Sequence, residues 1–437
     1  MRKAAFFLAA VLAAGVVPGR AAPDFAAVPS TATAAAFVSS VPAGVLDEDS
    51  AVALAVRNDP DLRAARLRAG VAGAQLFKAG LLPDPRLSAG LGRSSDHTGY
   101  SVALSADVRP FFVRGAARNE AAAAAEETRL EILWREWLTA EKARELFIQA
   151  RADEELERTL GETRDLLLAQ YQLDLADYQK SVSALAAVSA DLAVLADAER
   201  ALRGARLDAD RTRHGLNYLL GLPPGANPVL TGESAEKDLS AGEYRAALAA
   251  MPERRFDLLA LRAGCDSGEK ALRLASLERF PPLTVSLEKA RSSEEGVDSV
   301  GVGLELGLPI FDGNRGGVAV TRATKDQLRQ AYSARLARAD SQADEARQAA
   351  LLSEDQLRGL ESRLAEMTQA ADAAGQRFRS GALGTDVYVG LMKSLLSARA
   401  EAVRLRASLA VARVALNALL GLPPAAPPPP QPGKTPR

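Results

Sequence analysis

The chain has 437 residues, 48% hydrophobic but only 5% aromatic, with 54 Lys and Arg against 55 Asp and Glu. A net charge of −1 gives no field for holding nucleic acid, and the single cysteine, Cys265, excludes an internal disulfide framework and a Cys-rich metal site. His97 and His214 lie far apart, against a His-based zinc site, and an apolar content carried by Ala and Leu favours long helices over two or three ordinary globular domains.

Arg2 and Lys3, an apolar run from Ala4 to Val17 and small residues from Gly19 to Ala22 have the order of a secretory signal. We expect residues 1–21 to be that signal and 22–49 to be a linker. Beyond it no 18-residue apolar run occurs, which excludes transmembrane helices and leaves transmembrane strands open. The pattern from Ser50 to Gly80 is helical, and Pro83 and Pro85 stop it. A short alternating run at Leu87, Ala89 and Leu91, a polar loop over 93–99 and a longer run at Tyr100, Val102, Leu104, Ala106 and Val108 predict a β-hairpin. From Phe111 to Tyr178 no proline occurs, and the periodicity predicts a descending helix on the order of 100 Å long. A turn is expected between Tyr178 and Ala186, then a returning helix with Leu185, Val188, Leu192, Leu195 and Leu202 as its seam, interrupted by Glu199.

That helix ends in LNYLLGLPP from Leu216, and LNALLGLPP follows from Leu416, 200 residues on. The same shift lays Val300, Val302, Leu304, Leu306 and Leu308 on the first long strand. The chain therefore reads as two copies, 50–232 and 233–424, followed by a Pro-rich tail, 425–437, expected to be disordered. The second copy has a helical stretch from Glu243 to Arg279, a hairpin whose loop carries Glu294, Glu295 and Asp298 as a solvated face, and a long helix from Phe311 to Phe378. Gly381 and Gly384 then break the pattern, and the returning helix has a seam at Leu391, Leu395, Ala398, Ala402, Leu405, Leu409, Ala412, Leu416 and Leu419.

Opposite the apolar side of the long strands stand Ser101, Ala103, Ser105 and Asp107, and Gly301, Gly303, Glu305 and Gly307. Aliphatic against small or polar residues over about ten positions fits a tilted strand with lipid on one side and water on the other. Val102, Leu104, Val108, Val300, Val302, Leu304 and Leu306 are the candidate lipid-facing residues. A strand on a soluble core would alternate in the same way, and the paired long helices favour the membrane reading. Four strands cannot close a barrel, and an open sheet edge in lipid is costly, so a spanning chain must oligomerise; an open bore needs at least three copies.

Asn58-Asp-Pro-Asp-Leu62, Leu82-Pro-Asp-Pro-Arg-Leu87, Leu308-Pro-Ile-Phe-Asp-Gly-Asn-Arg-Gly316 and the twice-used Leu-Leu-Gly-Leu-Pro-Pro stand in the order found in one family. From about Ser50 to Pro424 the chain resembles the TolC-type outer-membrane efflux factors. The resemblance implies a mainly α fold with a small membrane β-barrel portion: a duplicated long helical hairpin plus β-hairpin, assembled as an α-barrel/β-barrel conduit. It further implies a homotrimer in outer-membrane lipid, a helical barrel in the periplasm, and a periplasmic adaptor and inner-membrane pump as partners, with no cofactor, metal or nucleic acid.

Beside the tip turn Gly381-Ala-Leu-Gly-Thr-Asp-Val387, the resemblance makes Asp386 a constriction and cation-attracting residue, although Val389 stands where a second acid often follows. Asp386 and Thr385 are also each fit to cap the returning helix. Gly381, Leu383 and Thr385 match the family's adaptor-docking tip. Phe311-Asp-Gly-Asn-Arg-Gly316 resembles the strand-to-helix turn of the branch that serves heavy-metal and cation pumps, while Asp312, Gly313 and Asn314 are also ordinary turn and cap residues. Two alternatives share parts of this pattern: a secreted coiled-coil scaffold of the cell envelope, and the exit duct of a type I protein secretion system. No nucleophile elbow, phosphate loop or zinc spacing is found, so no enzyme is expected.

Overall fold

The computed structural model describes residues 44–93, 98–180, 185–232, 238–292 and 298–423. The signal, most of the linker, His97, the middle of the first tip turn, Glu294, Glu295 and the tail lie outside the described residues.

Asp47 opens helix α1 (Glu48–Asn58) by accepting from the Ser50 N–H at 2.8 Å, and Asp59 opens α2 (Pro60–Ala79) by accepting from the Asp61 N–H at 3.0 Å. The pattern predicts a single helix here. It breaks because Pro60 has no N–H to donate and holds Asp59 out of helical conformation, at ψ 119. The corresponding stretch of the second half breaks too. Ser240 and Glu243 form a capping box at the start of α5 (Ala241–Ala250), a 3₁₀ turn containing Pro252 follows at Met251–Glu253, and α6 (Phe256–Leu277) completes the run.

The long helices are α3 (Arg109–Gln179, 71 residues) and α7 (Arg315–Arg379, 65 residues), about 105 and 98 Å at 1.5 Å per residue. Each returns as a helix half as long: α4 (Leu185–Leu220) and α8 (Thr385–Leu419). Helix α7 starts four residues later than its sequence pattern predicts, because Gly313 and Asn314 both take left-handed conformations (φ 52 for each). Asn314 occupies the N-cap position but does not cap; its amide donates to the Ala275 carbonyl at 2.8 Å and ties the start of α7 to α6.

Helix α3 packs on α1, α2 and α4 of its own half and on α6 and α8 of the other, so it joins the halves. The expected α8 seam is buried against α7 at Ala402 and Leu409, with Leu405 and Ala412 packed beside them. A second apolar stripe, which the sequence reading missed, places Ala407 and Val414 against Ile148 of α3. Helix α8 is therefore buried on two sides. In α4 the seam at Val188, Leu195 and Leu202 is buried, while Leu185 and Leu192 remain exposed.

Both returning helices stop in one way. At Gly221 (φ 66) and Gly421 (φ 65), the next residue's N–H reaches the carbonyl of Asn217 or Asn417 at 2.8 and 2.9 Å, and the glycine N–H reaches Tyr218 or Ala418. This is the Schellman arrangement, and it accounts for the repeated Leu-Leu-Gly-Leu-Pro-Pro as a helix stop. Each glycine also lies close to the other end of its half. A Cβ on Gly221 would stand 2.9 Å from Asn58 Cβ, and one on Gly421 3.0 Å from Arg254 Cβ.

Around the first of these stops sits a core of ten buried residues. Strands β1 (Val45–Leu46) and β4 (Val229–Leu230) pair in parallel over Phe147, Leu216 and Leu220. Val45 and Leu46 belong to the stretch read from sequence as linker. In the second half Leu416 and Leu420 pack with Tyr244, Ala247 and Ala343, and a buried charge network lies beside this cluster. Buried Arg255 makes two bonds to Asp257, donates to the Leu419 carbonyl at 3.1 Å and lies 5.0 Å from the Trp134 ring, while Arg335 holds the same carboxylate at 2.5 Å. Every charge there is partnered, as burial requires.

Candidate functional site

Four antiparallel strands, β2 (Arg86–Arg93), β3 (Thr98–Asp107), β5 (Leu283–Ser292) and β6 (Asp298–Leu306), form one sheet in the order β2-β3-β5-β6. Register aligns Leu87, Leu104, Leu287 and Val302 in one row and Ala89, Val102, Lys289 and Val300 in the next. Because side chains alternate, these rows share a face with Val285, Leu304 and Leu306. The opposite face carries Ser88, Gly90, Ser101, Ala103, Ser105, Ser286, Gly301 and Gly303.

The apolar face is open among the described residues: Leu104, Val300, Val302, Leu304 and Leu306 are 48–79% exposed, and Val102 is half-buried. The apolar band runs about 20 Å along β6 from Val300 to Leu306. At the helix end it continues into exposed Leu308, Ile310, Phe311, Phe111, Phe112 and Phe280. At the loop end it stops at Lys289 and Arg291, which pair with Asp298 at 3.5 and 3.6 Å. Val108, expected in the strand, lies one residue beyond it at the N-cap position of α3. Its N–H still donates to the Leu283 carbonyl at 2.9 Å. Among the described residues the outer edges of β2 and β6 have no strand beside them.

The other candidate residues gather at the far end of the helices. Helix α7 stops at a third Schellman turn: Gly381 has φ 72, its N–H reaches Phe378, and the Ala382 N–H reaches Arg377 at 2.8 Å. Phe378 stacks on Tyr388 of α8 with ring centres 4.7 Å apart, which fixes the angle of the turn. Gly381 is exposed and Leu383 and Thr385 are half-buried.

Gly384 holds the N-cap position of α8 without any side-chain cap, so neither Thr385 nor Asp386 serves as the expected cap. Asp386 sits in the first turn, where its charge faces the positive end of the helix. Its Oδ1 accepts from Gln170 Nε2 of α3 at 3.4 Å, and the same nitrogen donates to Asp174 Oδ2 at 2.7 Å.

Asp191 of α4 lies beside this group. Burial and the neighbouring carboxylates Asp174 and Asp386 push the Asp191 carboxyl up to about 6. Sequence reasoning found Asp386 and missed Gln170, Asp174 and Asp191. The only signal was Asp191 itself, three residues after the seam residue Val188. Among the described residues no cluster of His, Cys, Asp and Glu is arranged to hold a metal ion.

Residues 248–422 match the outer membrane efflux protein family. A comparison with curated proteins gives no match. The fold is that of several solved outer-membrane proteins. The outer membrane protein VceC from Vibrio cholerae is 18% identical with a TM-score of 0.68, over 86% of this chain and 96% of that one. The Campylobacter jejuni CmeC outer membrane channel is 15% identical with a TM-score of 0.70, over 86% and 85%. The open state of the Neisseria gonorrhoeae MtrE outer membrane channel is 15% identical with a TM-score of 0.68, over 85% and 88%. The second half thus matches the outer membrane efflux protein family, and the fold across both halves is that of these outer-membrane proteins.

Proposed function

We propose that the protein is the passive exit duct of a tripartite efflux pump, working as a homotrimer in the outer membrane. The observation that carries this reading is a sheet with one bare apolar face and, among the described residues, two edges that no strand pairs. In lipid such edges must be paired. Strands β2 and β6 run in opposite directions, so β6 of one copy can join β2 of the next in the antiparallel sense used throughout the sheet. Three copies then close a twelve-stranded barrel, with Val102, Leu104, Val300, Val302, Leu304 and Leu306 toward lipid and the small polar face toward water.

In this reading residues 1–21 export the chain, and the helices form a tube reaching into the periplasm. Gly381, Leu383 and Thr385 meet an adaptor, which links the tube to an inner-membrane pump. Asp386 narrows and charges the tube's end. The cargo is small molecules or metal cations, and the likeness of Phe311–Gly316 to the cation-pump branch supports the latter.

Native mass measurement of the detergent-extracted chain tests the assembly. Three copies per particle are expected, and a soluble monomer recovered without detergent would sink the duct and favour the envelope scaffold. In planar bilayers Asp386→Ala is expected to raise single-channel conductance and weaken block by multivalent cations; unchanged conductance would remove Asp386 from the constriction.

A further inference from the structure

Among the described residues, the apolar face of the sheet carries charge at its loop end and none at its helix end. Register places Lys289 in a row with Val102 and Val300, and the next row on the same face holds Tyr100, Arg291 and Asp298. Lys289 is thus level with Val300, where the aliphatic band ends, and Arg291 stands about 7 Å beyond it toward the loops. The neighbouring acid, Glu288, pairs with Ala103 and Gly301 and belongs to the opposite face. Glu294 and Glu295 stand in the loop, outside the described residues, and form no part of the site.

Two cations here share one carboxylate. Asp298 lies 3.5 Å from Lys289 Nζ and 3.6 Å from Arg291 Nη1, beyond the roughly 2.7–2.9 Å of a charge-assisted hydrogen bond. The three side chains are 44–52% exposed, so ammonium and guanidinium donors remain open, and two positive charges against one negative leave an excess beside the lipid band. At the edge of hydrocarbon such an excess calls for an anion from outside the chain. Directly below it, Val285, Leu287, Val300 and Val302 are 39–79% exposed. A free anion has no use for that apolar floor, whereas an anion that carries acyl chains covers it. Half-buried Tyr100 brings an aromatic ring with a polar tip to the level of Arg291, the setting such rings favour at a membrane surface.

We propose that Lys289 and Arg291, with Tyr100 beside them, bind the phosphate of an outer-leaflet lipid whose acyl chains lie along Leu287, Val300 and Val302. The guanidinium can take two phosphate oxygens side by side, and the ammonium adds a point charge one step nearer the acyl chains. At the same two levels the first half of the chain carries Ala89, Leu91, Tyr100 and Val102, so each chain has one site. This rests on the duct reading, which puts the apolar face in lipid and the loop end outward.

A basic side chain at an anionic membrane surface contributes about fivefold in affinity, so the pair contributes about thirtyfold. Asp298 acts in the opposite sense. Its carboxylate competes with the phosphate for both cations, so removing its charge strengthens binding, whereas a role in merely holding the two side chains in place would make the same change weaken it.

Native mass spectra of the detergent-extracted full chain count bound lipids and copies of the chain together. The probes are lipid A, which carries phosphate on its sugar headgroup, the same lipid stripped of phosphate, and inorganic phosphate. Wild type should bind lipid A about tenfold or more tightly than the stripped lipid. Lys289→Gln and Arg291→Gln should each weaken lipid A binding about fivefold, and together about thirtyfold. Lys289→Arg should keep it, and Asp298→Asn should tighten it. Equal affinity for the two lipids, or for wild type and the double variant, would overturn the site, as would displacement of lipid A by inorganic phosphate at matched concentration. The gain at Asp298→Asn decides the matter if the double variant fails to assemble, and no gain there would refute the site. A trimer without preference for the phosphorylated lipid sinks the site alone, whereas a soluble monomer recovered without detergent sinks the duct and the site with it.

Discussion

Replacing Gly221, Gly421 and Gly381 by Ala, one at a time, separates backbone conformation from packing. All three glycines end a helix in the left-handed region, at φ 66, 65 and 72. Any Cβ there costs about 1–2 kcal/mol, partly offset by the smaller conformational freedom of Ala in the unfolded chain. At Gly381 nothing lies within 4 Å of the new atom, so Gly381→Ala should cost about 1 kcal/mol. At Gly221 and Gly421 the Cβ would meet Asn58 and Arg254 Cβ atoms at 2.9 and 3.0 Å, backbone-anchored neighbours that cannot swing aside. Overpacking adds about 1–3 kcal/mol there, for a total of about 2–4 kcal/mol. Urea unfolding of the detergent-solubilised chain, followed by helical circular dichroism, gives the three losses on one scale. Equal losses would show that the contact between helix stop and helix start adds nothing, and a larger loss at Gly381 would contradict the open setting of the tip turn.

Two further outcomes test the helices and the sheet. Burial, with Glu145 close by, pushes the Glu141 carboxyl up to about 7 from 4.5 against the opposing pull of Arg255 and Lys142, so the folded chain holds a proton that the unfolded chain releases. Stability should fall as pH rises from about 4.5 to 7 and level off above; Glu141→Gln should remove about 1–3 kcal/mol of that slope, and an unchanged slope in melting curves would refute it. In the sheet, Val302→Arg on the apolar face should cost about 2–4 kcal/mol of insertion, while Ser101→Arg on the other face should be accepted; equal assembly of the two variants into lipid vesicles would show that neither face meets lipid.

Local chemistry made part of this fold legible. Prolines at 83, 85, 281 and 282 marked the helix ends, alternation at Tyr100–Ala106 and Val300–Leu306 marked the strands, and the repeated glycines marked the helix stops. What escaped depends on position in space. Strands of two residues, such as Val45–Leu46, have no period to read. The second stripe of α8 merges with the first in an Ala- and Leu-rich helix, because partners on two sides leave no polar face to set a phase.

The tip cluster was the least visible, because Gln170 and Asp386 lie 216 positions apart. The internal repeat concealed it further: the 200-residue shift places Ala370, Ala374, Leu391 and Ala186 at the matching positions, so the cluster is a departure from the repeat.

Helix α3 runs unbroken from the foot of the sheet to the tip, and a large buried cluster surrounds Phe147. That makes it a lever with a fulcrum. From Phe147 to Gln179 the arm is about 48 Å long, so a swing of only about 5° carries the free end about 4 Å. A rotation small enough to leave the packing at the fulcrum in place is thus magnified at the tip to more than the 3.4 Å that now separates Gln170 from Asp386.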